Sequence, residues 1–170
     1  MRPRHALTAL LFLFCGIALA GPDGEPRGAV PGDGAFTAFQ EGRPADFTLP
    51  APDGRPVELK QFLGKKPVLL VFWTTWCPNC IEAIPSLNAL HAGPLAGKVQ
   101  ILGVNYLETR KKVAAAAKAN RILYPVLLDE NGKVARAYGV VGIPTYVLIG
   151  RTGTIVYREY ALPEDIARYL

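Results

Sequence analysis

The strongest constraint on this chain is an unbroken apolar run, Pro67-Val-Leu-Leu-Val-Phe-Trp73. It is rich in strand formers and offers no polar position to face water, so it predicts a central strand buried on both faces. A sheet built around such a strand needs helices packed on both sides. The flanking sequence supplies them. A helix is expected from Pro78 to His91, with Ile81, Ile84, Leu87 and Leu90 at helical spacing. Pro85 should bend it, because its nitrogen cannot bond back to the carbonyl of Ile81. Val99 to Val104 reads as a second buried strand, and the alanine- and lysine-rich stretch from Glu108 to Asn120 as a helix. Pro125 to Leu128 is a short strand, followed by an Asp-Glu-Asn-Gly turn and a short helix from Val134 to Tyr138. Strands over Thr145 to Ile149 and Thr154 to Tyr157 join through Gly150-Arg-Thr-Gly153 as a hairpin. Pro163 to Leu170 suits a final helix with proline in its first turn. Upstream, short strands at Pro44–Leu49 and Val57–Leu59 flank the turn signal Pro52-Asp-Gly-Arg55. The predicted class is therefore α/β, a central mixed sheet flanked by helices, with no internal repeat.

Residues 1–20 read as a secretory signal peptide. Arg2 and Arg4 begin it, an apolar core runs from Leu7 to Leu19, and Ala18-Leu-Ala20 gives the small-x-small pattern for cleavage after Ala20. The core falls short of the roughly 20 residues a membrane-crossing helix needs; retention of the segment as an anchor is the alternative. Cys15 lies within it, and Phe14 before it argues against lipid attachment. Gly21 to Thr37 carries five glycines and three prolines in 17 residues, too little apolar surface to fold, so residues 21–42 are expected to be a flexible linker and residues 43–170 the folded domain. Cleavage would leave Cys77 and Cys80 as the only cysteines and His91 as the only histidine. The net charge of +5 is unclustered, which gives nucleic-acid binding no support. No metal site and no cofactor is expected, since a second pair of zinc ligands is absent.

Export places the cysteine pair in an oxidising compartment, where a disulfide can persist. A C-x-x-C bridge closes too short a loop to be a strong structural staple, because its constraint on the unfolded chain grows with loop length. The pair in Trp76-Cys77-Pro78-Asn79-Cys80 therefore looks chemical. It lies where a buried strand hands over to a helix, so Cys77 would sit at a helix N-terminus, where unpaired N–H groups and the helix dipole favour a thiolate. A thiolate is the nucleophile of disulfide exchange. Cys77 is assigned attack on a substrate disulfide, and Cys80, expected to be the more buried, resolution of the mixed disulfide. A second element, Gly142-Ile143-Pro144-Thr145, precedes a strand. Its proline reads either as the cis-proline of a tight turn or as an ordinary strand-start proline.

These two elements together resemble the thioredoxin superfamily, which carries Trp-Cys-x-x-Cys followed by a cis-proline loop. The chain is most similar to the exported TlpA/ResA-like branch, through Ala45-Asp-Phe-Thr-Leu49, Asp53-Gly-Arg-Pro-Val-Glu-Leu59, Phe72-Trp-Thr-Thr-Trp-Cys77, Tyr124-Pro-Val-Leu-Leu-Asp129 and Ala137-Tyr-Gly-Val-Val-Gly-Ile-Pro-Thr145. The resemblance covers about residues 43 to 170. It implies a thioredoxin-like fold with an added N-terminal β-hairpin. It also implies that Pro144 is cis and faces the sulfurs, and that Ile143 offers backbone bonds to a docked chain. Trp76 would shield Cys77 and touch the partner, the alternative being a core aromatic. It further implies a periplasmic or otherwise extracytoplasmic reductant of a protein disulfide, for which apocytochrome c is one candidate, recharged by a membrane thiol electron donor.

Two departures from the family stand out. The buried aspartate that thioredoxins keep six residues before the first cysteine is Val71 here. The glutamate that some ResA-like proteins keep three residues after the second cysteine is Ala83. Glu82 is adjacent, but two residues along a helix point it away from Cys80, so water or a substrate group is expected to take the Cys80 proton. His91, Lys111, Lys112 and Lys118 read as helix-surface residues without a functional role. Other readings compete with the reductant. A redoxin-type peroxidase would use Thr74, three before Cys77, yet Leu70 stands where such enzymes place proline. A copper-binding chaperone would use both sulfurs, yet Sco-like carriers separate their cysteines by three residues and add a distant histidine. A redox-inert docking module would tolerate loss of both cysteines.

Overall fold

The computed structural model describes residues 42–170. The expectations for residues 1–20 and for the linker up to residue 41 lie outside the described residues. A short antiparallel hairpin comes first, β1 (Thr48–Pro50) and β2 (Pro56–Glu58). The main sheet has five strands: β3 (Val68–Trp73), β4 (Gln100–Tyr106), β5 (Val126–Asp129), β6 (Thr145–Ile149) and β7 (Ile155–Glu159). Their order is β5-β4-β3-β6-β7. β3, β4 and β5 run parallel, whereas β6 and β7 are antiparallel to their neighbours. The helices are α1 (Pro78–Glu82), α2 (Ile84–Ala92), α3 (Arg110–Ala119) and α4 (Lys133–Ala137). This is the mixed α/β sheet with an added N-terminal hairpin that the resemblance implies. Among the described residues no helix is long and apolar enough to cross a membrane.

The apolar run over β3 is buried along its whole length, and its alternation divides the core. Val68, Leu70 and Phe72 face one side with Leu102, Val104, Leu127 and Tyr138, under the hairpin residues Phe47 and Leu49. Leu69 and Val71 face the other with Leu87, Ile101, Tyr124 and Leu148. Gly103 in β4 is required for close approach: a Cβ there would lie 2.9 Å from the Tyr124 ring and 3.3 Å from the Trp73 indole nitrogen. Asp129, fully buried at the end of β5, accepts hydrogen bonds from the Val134 and Ala135 amides at 3.3 and 2.8 Å. These satisfy first-turn donors of α4 that have no intrahelical acceptor.

Two elements differ from expectation. The bend at Pro85 is a break, with α1 ending and α2 beginning at Ala83 (φ −75°, ψ −18°). The final helix is only a single 3₁₀ turn, Ile166–Tyr169. The tighter turn brings residues i and i+3 into line, so Ile166 is buried and Tyr169 meets the Tyr157 ring edge-on at 5.8 Å.

Strand β7 carries one irregularity that matters for the site. Leu148 pairs with Tyr157 and Ile149 with Ile155, so Val156 is a bulge. The extra residue reverses the alternation. Ile155 packs on the Phe72 face of the sheet and Tyr157 on the Leu69 face, while Val156 is exposed.

Candidate active site

The site forms at the C-terminal end of β3, where Thr74, Thr75 and Trp76 lead from the buried strand into α1. Cys77 is the N-cap residue of α1, with Pro78 in its first turn. Proline fits there because the N–H it lacks would have had no acceptor. Cys77 is disulfide-bonded to Cys80, their Cα atoms 5.3 Å apart. The Cys80 amide donates to the Cys77 sulfur at 3.2 Å. Once the pair is reduced, that N–H is aimed at a Cys77 thiolate and favours it. Both cysteines pack among Trp73, Val113, Val126 and Leu128.

The expected difference in burial between the cysteines is not seen: Cys77 is 5% and Cys80 4% exposed. What separates them is direction. The Cys77 sulfur lies 3.9 Å from the Ile143 carbonyl oxygen, against the loop 66 residues further on. The Ile143–Pro144 peptide bond is cis, so of the two readings of this proline the tight-turn one holds. The loop is held from both ends. Arg158 donates to the Gly139 carbonyl, and the Thr145 hydroxyl donates to the Gly142 carbonyl at 2.5 Å. Trp76 stands 66% exposed beside Cys77, which excludes the core-aromatic alternative. Cys77, Cys80, Trp76, Ile143 and Pro144 thus meet at one end of the sheet.

Sequence reasoning missed Glu108, read there only as part of a helix. It lies just before α3, 8% exposed. Its carboxylate accepts from the Thr75 amide and hydroxyl, both at 2.7 Å, and from the Asn105 side-chain amide at 2.9 Å. Lys112 pairs with it at 2.6 Å, so that lysine does more than face solvent. Burial pushes the Glu108 carboxyl up, but the Lys112 bond outweighs that together with those of Asn105 and Thr75, and its pKa is held below the usual range. The network ties Thr75, two residues before Cys77, to the end of β4. The available signal was weak: one acidic residue four before a lysine. Glu82, by contrast, is exposed.

A pH dependence follows from Glu108. A carboxyl whose folded pKa is depressed contributes stability that is fully present above its unfolded value, near 4.5, and lost as pH falls through the lower folded value. The stability difference between wild type and Glu108→Gln, measured by denaturant titration, is expected to be constant at neutral pH and to shrink below about pH 4.5. A difference unchanged to pH 3 would overturn the assignment.

The AhpC/TSA family model matches residues 42–158. The chain is 33% identical over 111 residues to thiol-disulfide oxidoreductase ResA of Bacillus thuringiensis subsp. konkukian, covering 65% of this chain and 64% of that protein. It therefore spans somewhat less than two thirds of the length of this curated relative. ResA of Geobacillus thermodenitrificans is 34% identical over 127 residues, 74% of this chain and 72% of that protein. Among solved structures, a thiol:disulfide interchange protein of the thioredoxin family from Chlorobium tepidum superposes with a TM-score of 0.64 at 25% identity, covering 74% of this chain and 90% of that one. With a match over most of its length, a C-x-x-C disulfide at the end of β3 and a cis-proline against it, the chain belongs to the AhpC/TSA family of thioredoxin-like proteins.

Proposed function

We propose that this protein is an exported thiol–disulfide oxidoreductase that reduces protein disulfides. The observation that carries the reading is the bonded Cys77–Cys80 pair facing the Ile143–Pro144 loop. In the reducing half-cycle both cysteines begin as thiols. The Cys77 thiolate attacks one sulfur of a substrate disulfide, forming the mixed disulfide and expelling the other substrate sulfur as a thiolate. The Cys80 sulfur, after losing its proton, then attacks Cys77. This forms the Cys77–Cys80 bond and releases the second substrate thiol. The substrate gains two electrons, which a membrane thiol donor must return. No carboxylate bonds to Cys80 among the described contacts, and Glu108 is committed to Thr75, Asn105 and Lys112, so water or a substrate group takes the Cys80 proton.

The ResA names of the curated relatives support thiol–disulfide exchange. The resemblance to the TlpA/ResA-like branch supports the reducing direction, an extracytoplasmic location and a partner such as apocytochrome c. Within the site, Ile143 offers its backbone to the docked substrate and Trp76 flanks the attacking sulfur. A peroxidase reading fits less well: Leu70 stands where such enzymes place proline, and a resolving cysteine only three positions on is unusual for them. The midpoint potential decides direction. Thiol trapping across redox buffers is expected to give a value below about −230 mV, in the thioredoxin range. A value above about −180 mV would make the protein an oxidase or isomerase, and the reductant reading would fall.

A further inference from the structure

We propose that Val141 and Tyr160 form an apolar specificity subsite beside the cis-proline loop, which receives one aromatic side chain of the substrate segment flanking the attacked cysteine. The proposal rests on the exchange reading above and adds a substrate preference to it.

Val141 is 87% and Tyr160 58% exposed. Isolated exposed apolar residues are ordinary, but these two are set in place. Val141 lies between two anchored carbonyls, Gly139 bound by Arg158 and Gly142 bound by the Thr145 hydroxyl. The loop is therefore held in a shape that turns a branched apolar side chain to solvent, two residues from the Ile143 carbonyl that faces Cys77. Tyr160 approaches the same loop from β7. A Cβ added to Gly142 would meet its ring at 3.1 Å, so the ring lies against the loop backbone and the absence of a side chain at position 142 makes room for it.

The bulge at Val156 makes this meeting possible. Without the extra residue, the pleat would carry Arg158 and Tyr160 to the opposite side of the sheet. With it, Arg158 shares a face with Val147 across the ladder and reaches Gly139. Between loop and strand lies a groove of about 310 Å³, lined by Val141, Thr145, Arg158, Glu159 and Tyr160. That volume is at the small end of ligand clefts, with room for one side chain and not a second domain. Val141 and Tyr160 give it apolar and aromatic surface, and Thr145, Arg158 and Glu159 complete its lining. An extended chain that bonds to Ile143 while its cysteine sits on Cys77 continues past this groove, so the occupant is a nearby residue of the same substrate segment. An aromatic ring fits best, because it buries the most apolar area and can set its edge or face against Tyr160.

The test uses glutathione mixed disulfides of short peptides, with Phe or Ala placed in turn at each of the three positions on either side of the cysteine. Reduced wild-type protein is expected to react about tenfold faster with Phe than with Ala at one of these positions. In a Val141→Ser/Tyr160→Ser double variant that ratio should fall to about one. Leu123→Ser, an exposed apolar residue next to β5 at the opposite edge of the sheet, should keep it. The proposal is overturned if no position distinguishes Phe from Ala, if the ratio survives the double variant, or if Leu123→Ser abolishes it equally. A wild-type protein that exchanges with none of the peptides and not with glutathione disulfide overturns the exchange reading itself. A protein that exchanges but is blind to Phe overturns only the subsite.

Discussion

Replacing Cys77 by serine is expected to lower the rate of protein-disulfide reduction by on the order of 10⁴-fold or more, as loss of a nucleophile does. Replacing Cys80 by serine should instead leave a single round of attack and accumulate a mixed disulfide in stoichiometric yield. The asymmetry does not come from exposure, which is nearly equal for the two residues. It comes from placement. Cys77 caps α1, accepts the Cys80 amide at 3.2 Å and faces the Ile143 carbonyl, so its thiolate is both favoured and aimed at the docking loop. Cys80 lies within α1, bonded to Cys77. Mass spectrometry without reductant, after mixing each variant with a disulfide-bonded protein, reads the result directly. Trapping by Cys77→Ser rather than Cys80→Ser would reverse the assigned roles. Biological function left intact by a Cys77→Ser/Cys80→Ser double variant would return the redox-inert docking module to consideration.

The second large effect lies away from the sulfurs. Tyr138→Ala is expected to destabilise the oxidised protein by about 3–5 kcal/mol, in the range of large aromatic truncations in a core. Tyr138 is fully buried. Its ring meets Phe72 at 5.5 Å and Phe47 edge-on at 6.4 Å, and its hydroxyl donates to the Ala45 carbonyl at 2.7 Å, 93 residues away in sequence. Burial pushes the phenol pKa well above its ordinary value, with the Asp46 charge adding to it, so the hydroxyl remains a donor throughout the useful pH range. Tyr138→Phe separates the two contributions. It keeps the packing, removes one hydrogen bond and should cost only about 1–2 kcal/mol. Guanidinium denaturation of both variants checks the pair; equal losses would mean that the hydrogen bond, and not the ring, ties the N-terminal strand to the sheet.

The elements legible from the amino-acid order are those whose physics is local or periodic. The run from Val68 to Trp73 could only be a strand covered on both sides. The Pro85 bend follows from a missing N–H, although the structure makes it a break at Ala83. The C-x-x-C pair at a strand-to-helix junction declares its chemistry because three positions along a helix bring two sulfurs into contact. The loop of Ile143 and Pro144 was recognisable only when paired with that motif.

Other features were hidden because their partners are distant in sequence. Glu108 reads as an ordinary polar residue at a helix start, and it becomes a clamp on the cysteine-bearing loop only when β4 lies beside β3 and presents it to Thr75, 33 residues earlier. The terminal segment has helical composition, but packing of Ile166 and Tyr169 on the sheet decided for a single 3₁₀ turn. The bulge at Val156 has no local signature. It exists because Ile155 and Tyr157 are each drawn to apolar surface on opposite faces of the sheet, and it alone brings Arg158 and Tyr160 to the loop before Pro144. By itself the sequence determined the strands, the reactive pair and the kind of chemistry, since these rest on spacing and side-chain type. Tertiary structure decided what holds the pair in place and what surrounds it, because the deciding contacts, Glu108 to Thr75 and Arg158 to Gly139, close loops that no local pattern encodes.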